Sequence, residues 1–156
     1  MFHSSEYLGP NTQFQENGKA TFADNMDRAS SGYRVLVVHH HPDTLHMMAT
    51  MFRKLGYQVA ATFDSTKALL YFRRRPCDLL FTDLDMPVLN GYHLARLIKK
   101  HRPQAKAVAM TFRCQVEVVD LMGDGIIDGW LFKPFKTNEF KDTLAEMGLP
   151  VAHHTC

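Results

Sequence analysis

The chain has 156 residues, 46% of them apolar, and a formal net charge of +2, which suits one domain plus a tail with a real buried core. So small a charge does not imply a nucleic-acid or anionic-membrane partner, and no stretch approaches the roughly 20 apolar residues that span a bilayer. Three cysteines (Cys77, Cys114 and Cys156) without paired spacing, and an N-terminus without a basic-then-apolar signal, make a cytoplasmic location the default expectation.

Residues 1–32 are rich in Ser, Asn, Gln, Gly and Thr and carry aromatics without period, so they read as a flexible arm. A short docking helix at residues 21–28 is the one structured element expected there. The domain itself is expected over residues 33–148, with 149–156 as a short tail. From Tyr33 the pattern alternates. Residues 35–38 (Val-Leu-Val-Val) form a short apolar run, as expected for a strand covered on both faces. Pro42 opens a helix with Leu45, Met48 and Phe52 at helical spacing, and Gly56 stops it. Residues 58–62 form a second strand. Asp64 or Ser65 caps a helix that ends by Pro76. Residues 79–82 form a third strand, and after the Asn90-Gly91 turn a helix runs toward Pro103. Residues 107–110 form a fourth strand, followed by a less regular helix closed by Gly123-Asp124-Gly125. Residues 130–132 form a fifth strand, and Thr137 is expected to cap the last helix. Two basic runs, Arg73-Arg74-Arg75 and Lys99-Lys100-His101-Arg102, each fall at a helix end. There they read first as cations favoured by the helix dipole.

Five strands alternating with five helices imply an α/β fold with a parallel sheet covered on both faces, a doubly wound, flavodoxin-like (βα)5 unit. By analogy with such folds the strand order is expected to be 2-1-3-4-5. That order gathers the carboxyl ends of the strands at one edge: His39 and His40 from the first, Asp83 from the third, Thr111 from the fourth, and Lys133 after the fifth. A carboxylate, a hydroxyl and an ammonium meeting there suit phosphoryl chemistry, with the carboxylate as acceptor and the lysine as a point charge for the oxygens. A flavin site would need a Ser/Thr/Gly-rich loop after the first strand, and His39-His40-His41-Pro42-Asp43 offers none.

Residues 34–148 resemble a response-regulator receiver domain of two-component signalling. The resemblance rests on the apolar strand ending at Asp83, the Asp85-Met86-Pro87 and Asn90-Gly91 loop, Thr111 after the fourth strand, and Lys133-Pro134-Phe135 after the fifth. It implies Asp83 as phospho-acceptor, Thr111 and Lys133 as phosphoryl-contacting groups, and Trp130 as the aromatic switch. It also implies a protein that is not a turnover enzyme. Its partners would be a sensor histidine kinase or phosphotransfer protein upstream, and a protein downstream that docks on the helix 4–strand 5–helix 5 face. A homodimer through that face is a further expected assembly, and nucleic acid and membrane are not expected partners.

Two positions depart from the family pattern. Receivers carry an acidic pair after strand one that holds Mg²⁺, and here His39 and His40 stand there. Mg²⁺ wants oxygen ligands, so Asp83 and Asp85 would be left to form a weakened site. Phe112 replaces the usual small residue after the switch threonine and could narrow the pocket or pack on the loop. Three readings follow. In the first, phosphoryl transfer to Asp83 survives, helped by His39 or His40 protonated through the neighbouring carboxylate, in a single-domain response regulator of a phosphorelay. In the second, the domain is a phosphorylation-independent docking module. In the third, His39, His40 and Asp83 bind a transition metal such as Zn²⁺, which requires a turn because adjacent residues on an extended chain point to opposite faces.

Overall fold

The computed structural model describes residues 32–151, together with a short antiparallel pair joining Gln13–Phe14 to Ala20–Thr21. The arm expected at the N-terminus, the helix expected over 21–28 and the tail beyond 151 otherwise lie outside the described residues. The pair itself was not foreseen, and its Thr21 is extended rather than helical.

Five strands build the main sheet: β1 (Arg34–Val38), β2 (Gln58–Thr62), β3 (Leu79–Asp83), β4 (Lys106–Thr111) and β5 (Gly129–Phe132). All neighbours are parallel and the order is β2-β1-β3-β4-β5, as expected. The helices between and after them are α1 (Pro42–Lys54), α2 (Ser65–Arg74), α3 (Gly91–His101), α4 (Gln115–Met122) and α5 (Thr137–Glu146).

Local chemistry starts the helices where the sequence indicates. The Asp64 carboxylate accepts from the backbone N–H groups of Thr66 and Lys67, and the Asn90 side chain accepts from His93 N–H. One cap differs. Thr137 is the first helical residue of α5, and the cap is Lys136, whose N–H donates to the Glu139 carboxylate at 2.9 Å. Glutamate reaching back from the third helical position satisfies the same orphan donor that a threonine cap leaves open.

Because strand side chains alternate, the sheet feeds two cores. Val35, Val37, Phe81, Val108 and Met110 face α1 and α5, where Phe52, Phe81 and Phe140 meet edge to face at 5.0–5.5 Å. Leu36, Val38, Leu80, Ala107 and Ala109 face the other way, against Ala68, Phe72, Leu94 and Ile98 of α2 and α3. Each fully buried aromatic or leucine is worth about 1.5–3 kcal/mol relative to exposure. That anchoring fixes the carboxyl edge of β1 and β3, where the polar cluster sits.

Candidate functional site at the carboxyl edge of the sheet

Asp83 closes β3 and is 2% exposed. The loop behind it leaves the sheet tightly. Leu84 N–H donates to Met110 O, and Gly91 N–H returns to Leu84 O at 2.9 Å. A Cβ on Gly91 would stand 2.3 Å from the Asp83 carbonyl oxygen, so this position tolerates only glycine without a shift of the backbone. In the same loop the exposed Val88 holds φ at 68°, a left-handed conformation that strains a β-branched residue.

Four groups converge on the Asp83 carboxylate. Lys133 Nζ donates to Oδ2 at 3.0 Å, and His40 Nδ1 and His39 Nε2 lie 3.1 and 3.3 Å from the same oxygen. Asp85 N–H donates to Oδ1 at 3.1 Å. The two imidazoles reach one carboxylate because the chain bends just after β1, which brings their rings parallel, 5.2 Å apart and 5° from coplanar orientation. His41, at the cap of α1, is exposed and tilts against His40. Its backbone N–H donates to His39 Nδ1 at 3.0 Å.

A backbone N–H can only donate, so Nδ1 accepts from His41, while Nε2 lies 3.0 Å from the Lys133 ammonium and 3.3 Å from Asp83 Oδ2, between a donor and an acceptor. His39 is 1% exposed, and its pKa is pushed down to about 4, first by burial and then by the Lys133 ammonium, against the opposing pull of Asp83. The expectation that the neighbouring carboxylate would raise this histidine is therefore corrected. Burial outweighs the carboxylate, and His39 is neutral at physiological pH. With His39 neutral, Asp83 and Lys133 are a charge-balanced pair at 2% and 9% exposure.

The remaining expected site residues lie around this cluster. Thr111 ends β4 and is fully buried, and its hydroxyl oxygen accepts from Arg113 N–H. Among the described residues no hydrogen bond joins it to Asp83. Trp130 is partly buried on β5, near-parallel to Phe132 and packed on the α2–α3 core. Phe112 is 74% exposed and its ring lies 4.8 Å from Lys133 Nζ, so it flanks the ammonium in a cation–π contact. Asp85 turns to Arg113, whose guanidinium it meets at 2.6 Å. The group that could ligate a metal is accordingly His39, His40 and Asp83, without Asp85. Arg113 had no signal in the sequence beyond standing two residues after Thr111.

A family model of the response regulator receiver domain matches residues 35–145. The chain belongs to this family. The receiver is 33% identical over 114 residues to the two-component response regulator-like APRR5 of Arabidopsis thaliana, covering 70% of this chain and 20% of that protein. It is 29% identical over 111 residues to the sensor histidine kinase RcsC of Salmonella typhi, covering 71% of this chain and 12% of that protein. The receiver thus spans a fifth or less of the length of these curated relatives. Among solved structures it superposes with a TM-score of 0.64 and 26% identity on the receiver domain of the sensor histidine kinase PA1611 of Pseudomonas aeruginosa, covering 73% of this chain and 95% of that one. That structure has a magnesium ion coordinated in its active-site cleft.

The residues of this receiver do not fit Mg²⁺. An octahedral oxygen-seeking ion meets two imidazole nitrogens and one carboxylate, and that carboxylate is already neutralised by an ammonium 3.0 Å away. The donor types suit a softer divalent ion better. Even so, the nitrogen of His39 that faces the cluster stands 3.0 Å from the Lys133 ammonium, and its other nitrogen accepts a hydrogen bond where a metal-ligating histidine would donate one.

Proposed function

We propose that this receiver acts in two-component signalling as a docking module that works by protein–protein contact, with Asp83 held in a closed, metal-free cluster. The observation that carries the reading is the state of Asp83 Oδ2. It is bonded to Lys133 and crowded by His39 Nε2 and His40 Nδ1, so the atom that would attack a phosphoryl group is already engaged. The charge count agrees. An incoming phosphoryl dianion would find one ammonium, already paired with Asp83, in place of a metal plus that ammonium. An open groove of about 750 Å³, with His40 of the cluster on its wall, is lined further by Leu84, Met86, Pro87, Tyr92 and Leu121 and by the Asp85–Arg113 ion pair, which offers a partner apolar area beside polar groups. On this reading the receiver turns over no substrate, and its output is occupancy of that groove.

The second reading is slow phosphoryl transfer to Asp83 without metal, favoured by Lys133 standing 3.0 Å from the carboxylate as a ready phosphoryl-binding cation. A histidine kinase or phosphotransfer protein would then be the donor. The two readings separate in one experiment: intact mass after incubation with acetyl phosphate, with and without Mg²⁺. Docking predicts no added phosphate in either condition and unchanged partner affinity in Asp83→Asn. A phosphate adduct abolished by Asp83→Asn would sink the docking reading. Mass spectrometry of the receiver with Zn²⁺ under native conditions tests the third reading, and a 1:1 adduct lost in His40→Ala would restore it.

A further inference from the structure

The two basic runs noted in the sequence come together in the fold, at the sheet edge opposite Asp83. α2 and α3 pack side by side, and both run so that their C-termini reach the amino edge of the strands. Between those ends lies a pocket of about 310 Å³ lined by Phe72, Arg73, Pro76, His101, Arg102 and Gln104. The question is whether helix capping alone explains the charge gathered there.

It does not. Each helix C-terminus carries an effective charge of only about −0.5. Five arginines and lysines stand around the pair besides Arg75: Arg73, Arg74, Lys99, Lys100 and Arg102. Asp78 is bonded to Arg102 at 2.7 Å and Asp128 to Lys99 at 2.6 Å. The side chains of Arg73, Arg74, Lys100 and His101 have no hydrogen-bond or ion-pair partner among the described residues. Several positive charges are therefore left over on one face of a chain whose total net charge is +2. Asp78 also accepts from Arg34 N–H, which fixes it and hence the Arg102 guanidinium at the pocket wall.

We propose that this pocket binds an organic phosphate of about nucleotide size. Arginine forks suit phosphate oxygens, and Arg73 and Arg102 stand on two walls of the pocket with His101 beside them. Pro76 supplies an apolar wall backed by the buried Phe72, and Gln104 an amide that can both donate and accept. The volume lies at the lower end of the range of small-molecule sites. The site is separate from the Asp83 cluster and does not depend on the docking reading.

The test is calorimetric titration of the full chain with ADP and with pyrophosphate, alongside amide-shift mapping of labelled protein. ADP is expected to bind more tightly than pyrophosphate, with shifts gathered at residues 72–76 and 101–104 and affinity that falls with salt. Arg73→Ala with His101→Ala, both at exposed positions, is expected to weaken ADP at least tenfold, and Asp83→Asn to leave it unchanged. Thermal melting checks that the variants fold, and Arg73→Glu provides a second disruption if the double variant melts early. The proposal is overturned by no ADP binding at millimolar concentration, by affinity that survives these variants, or by shifts gathered around Asp83 and Lys133. Pyrophosphate binding as tightly as ADP would overturn the role given to the apolar wall. Binding of a polyglutamate peptide in place of ADP would reassign the face to an acidic protein segment.

Discussion

The two edges of this sheet handle charge in opposite ways. At the carboxyl edge, one buried carboxylate is closed in by an ammonium, a neutral imidazole and a backbone N–H, and little charge is left over. At the amino edge, Lys99 and Arg102 have carboxylate partners, whereas Arg73, Arg74 and Lys100 have none among the described residues. The difference teaches where stability and where recognition reside. Buried, mutually satisfied charges hold the fold and are expensive to disturb, whereas exposed, unmatched charges cost the fold little and are available to a ligand.

The largest expected effect falls on the closed edge. Lys133→Met leaves the Asp83 carboxylate buried without its cation and is expected to cost about 3–5 kcal/mol in urea unfolding, as for other broken buried pairs. Adding Asp83→Asn to that variant is expected to restore most of the loss, because it removes the orphan charge. A Lys133→Met variant within 1 kcal/mol of the parent would show that the pair is not the closure described here.

Next comes the pH dependence. His39 is faced by Asp83, Lys133, His40 and His41, and its folded pKa of about 4 lies below the ordinary value of 6.5. Between those pH values the unfolded chain binds the proton and the folded chain does not, so acid favours unfolding there. His39's contribution is complete above about pH 6.5 and is lost as pH falls through 4, amounting to roughly 3 kcal/mol. Denaturation midpoints of the parent and His39→Gln from pH 7 to 4 measure this. Equal slopes for the two proteins would contradict a neutral, buried His39.

The smallest effect is expected at the open edge. Arg73→Ala and Lys100→Ala should each change unfolding free energy by less than about 0.5 kcal/mol, since neither side chain has a partner among the described residues. A loss above 1 kcal/mol would mean that these cations belong to the fold, and the contrast between the edges would narrow.

Much of the fold was legible because strands buried on both faces read as short apolar runs, and because Pro42, Asp64, Asn90 and Gly91 mark helix starts by local chemistry alone. The strand order came from analogy with doubly wound folds, since no local pattern encodes which strands become neighbours. Around the site, the sequence brought Asp83, Lys133, His39 and His40 to one edge but misjudged how they behave. The direction of the His39 shift depends on burial, which a sequence does not display, so the carboxylate's pull looked decisive when it was not. Asp85 looked like a spare ligand because Arg113, its ion-pair partner, lies 28 residues away along the chain. The two basic runs looked like separate helix caps because only the packing of α2 on α3 makes them walls of one pocket.

The clearance at Gly91 has a mechanical consequence. The first residue of α3 rests against the Asp83 carbonyl so closely that not even a methyl group fits between them, and a hydrogen bond from Gly91 N–H to Leu84 O ties the same two segments together. There is no slack in that joint. The end of β3 and the start of α3 are therefore seated directly on one another, and a larger residue at position 91 would have to prise them apart.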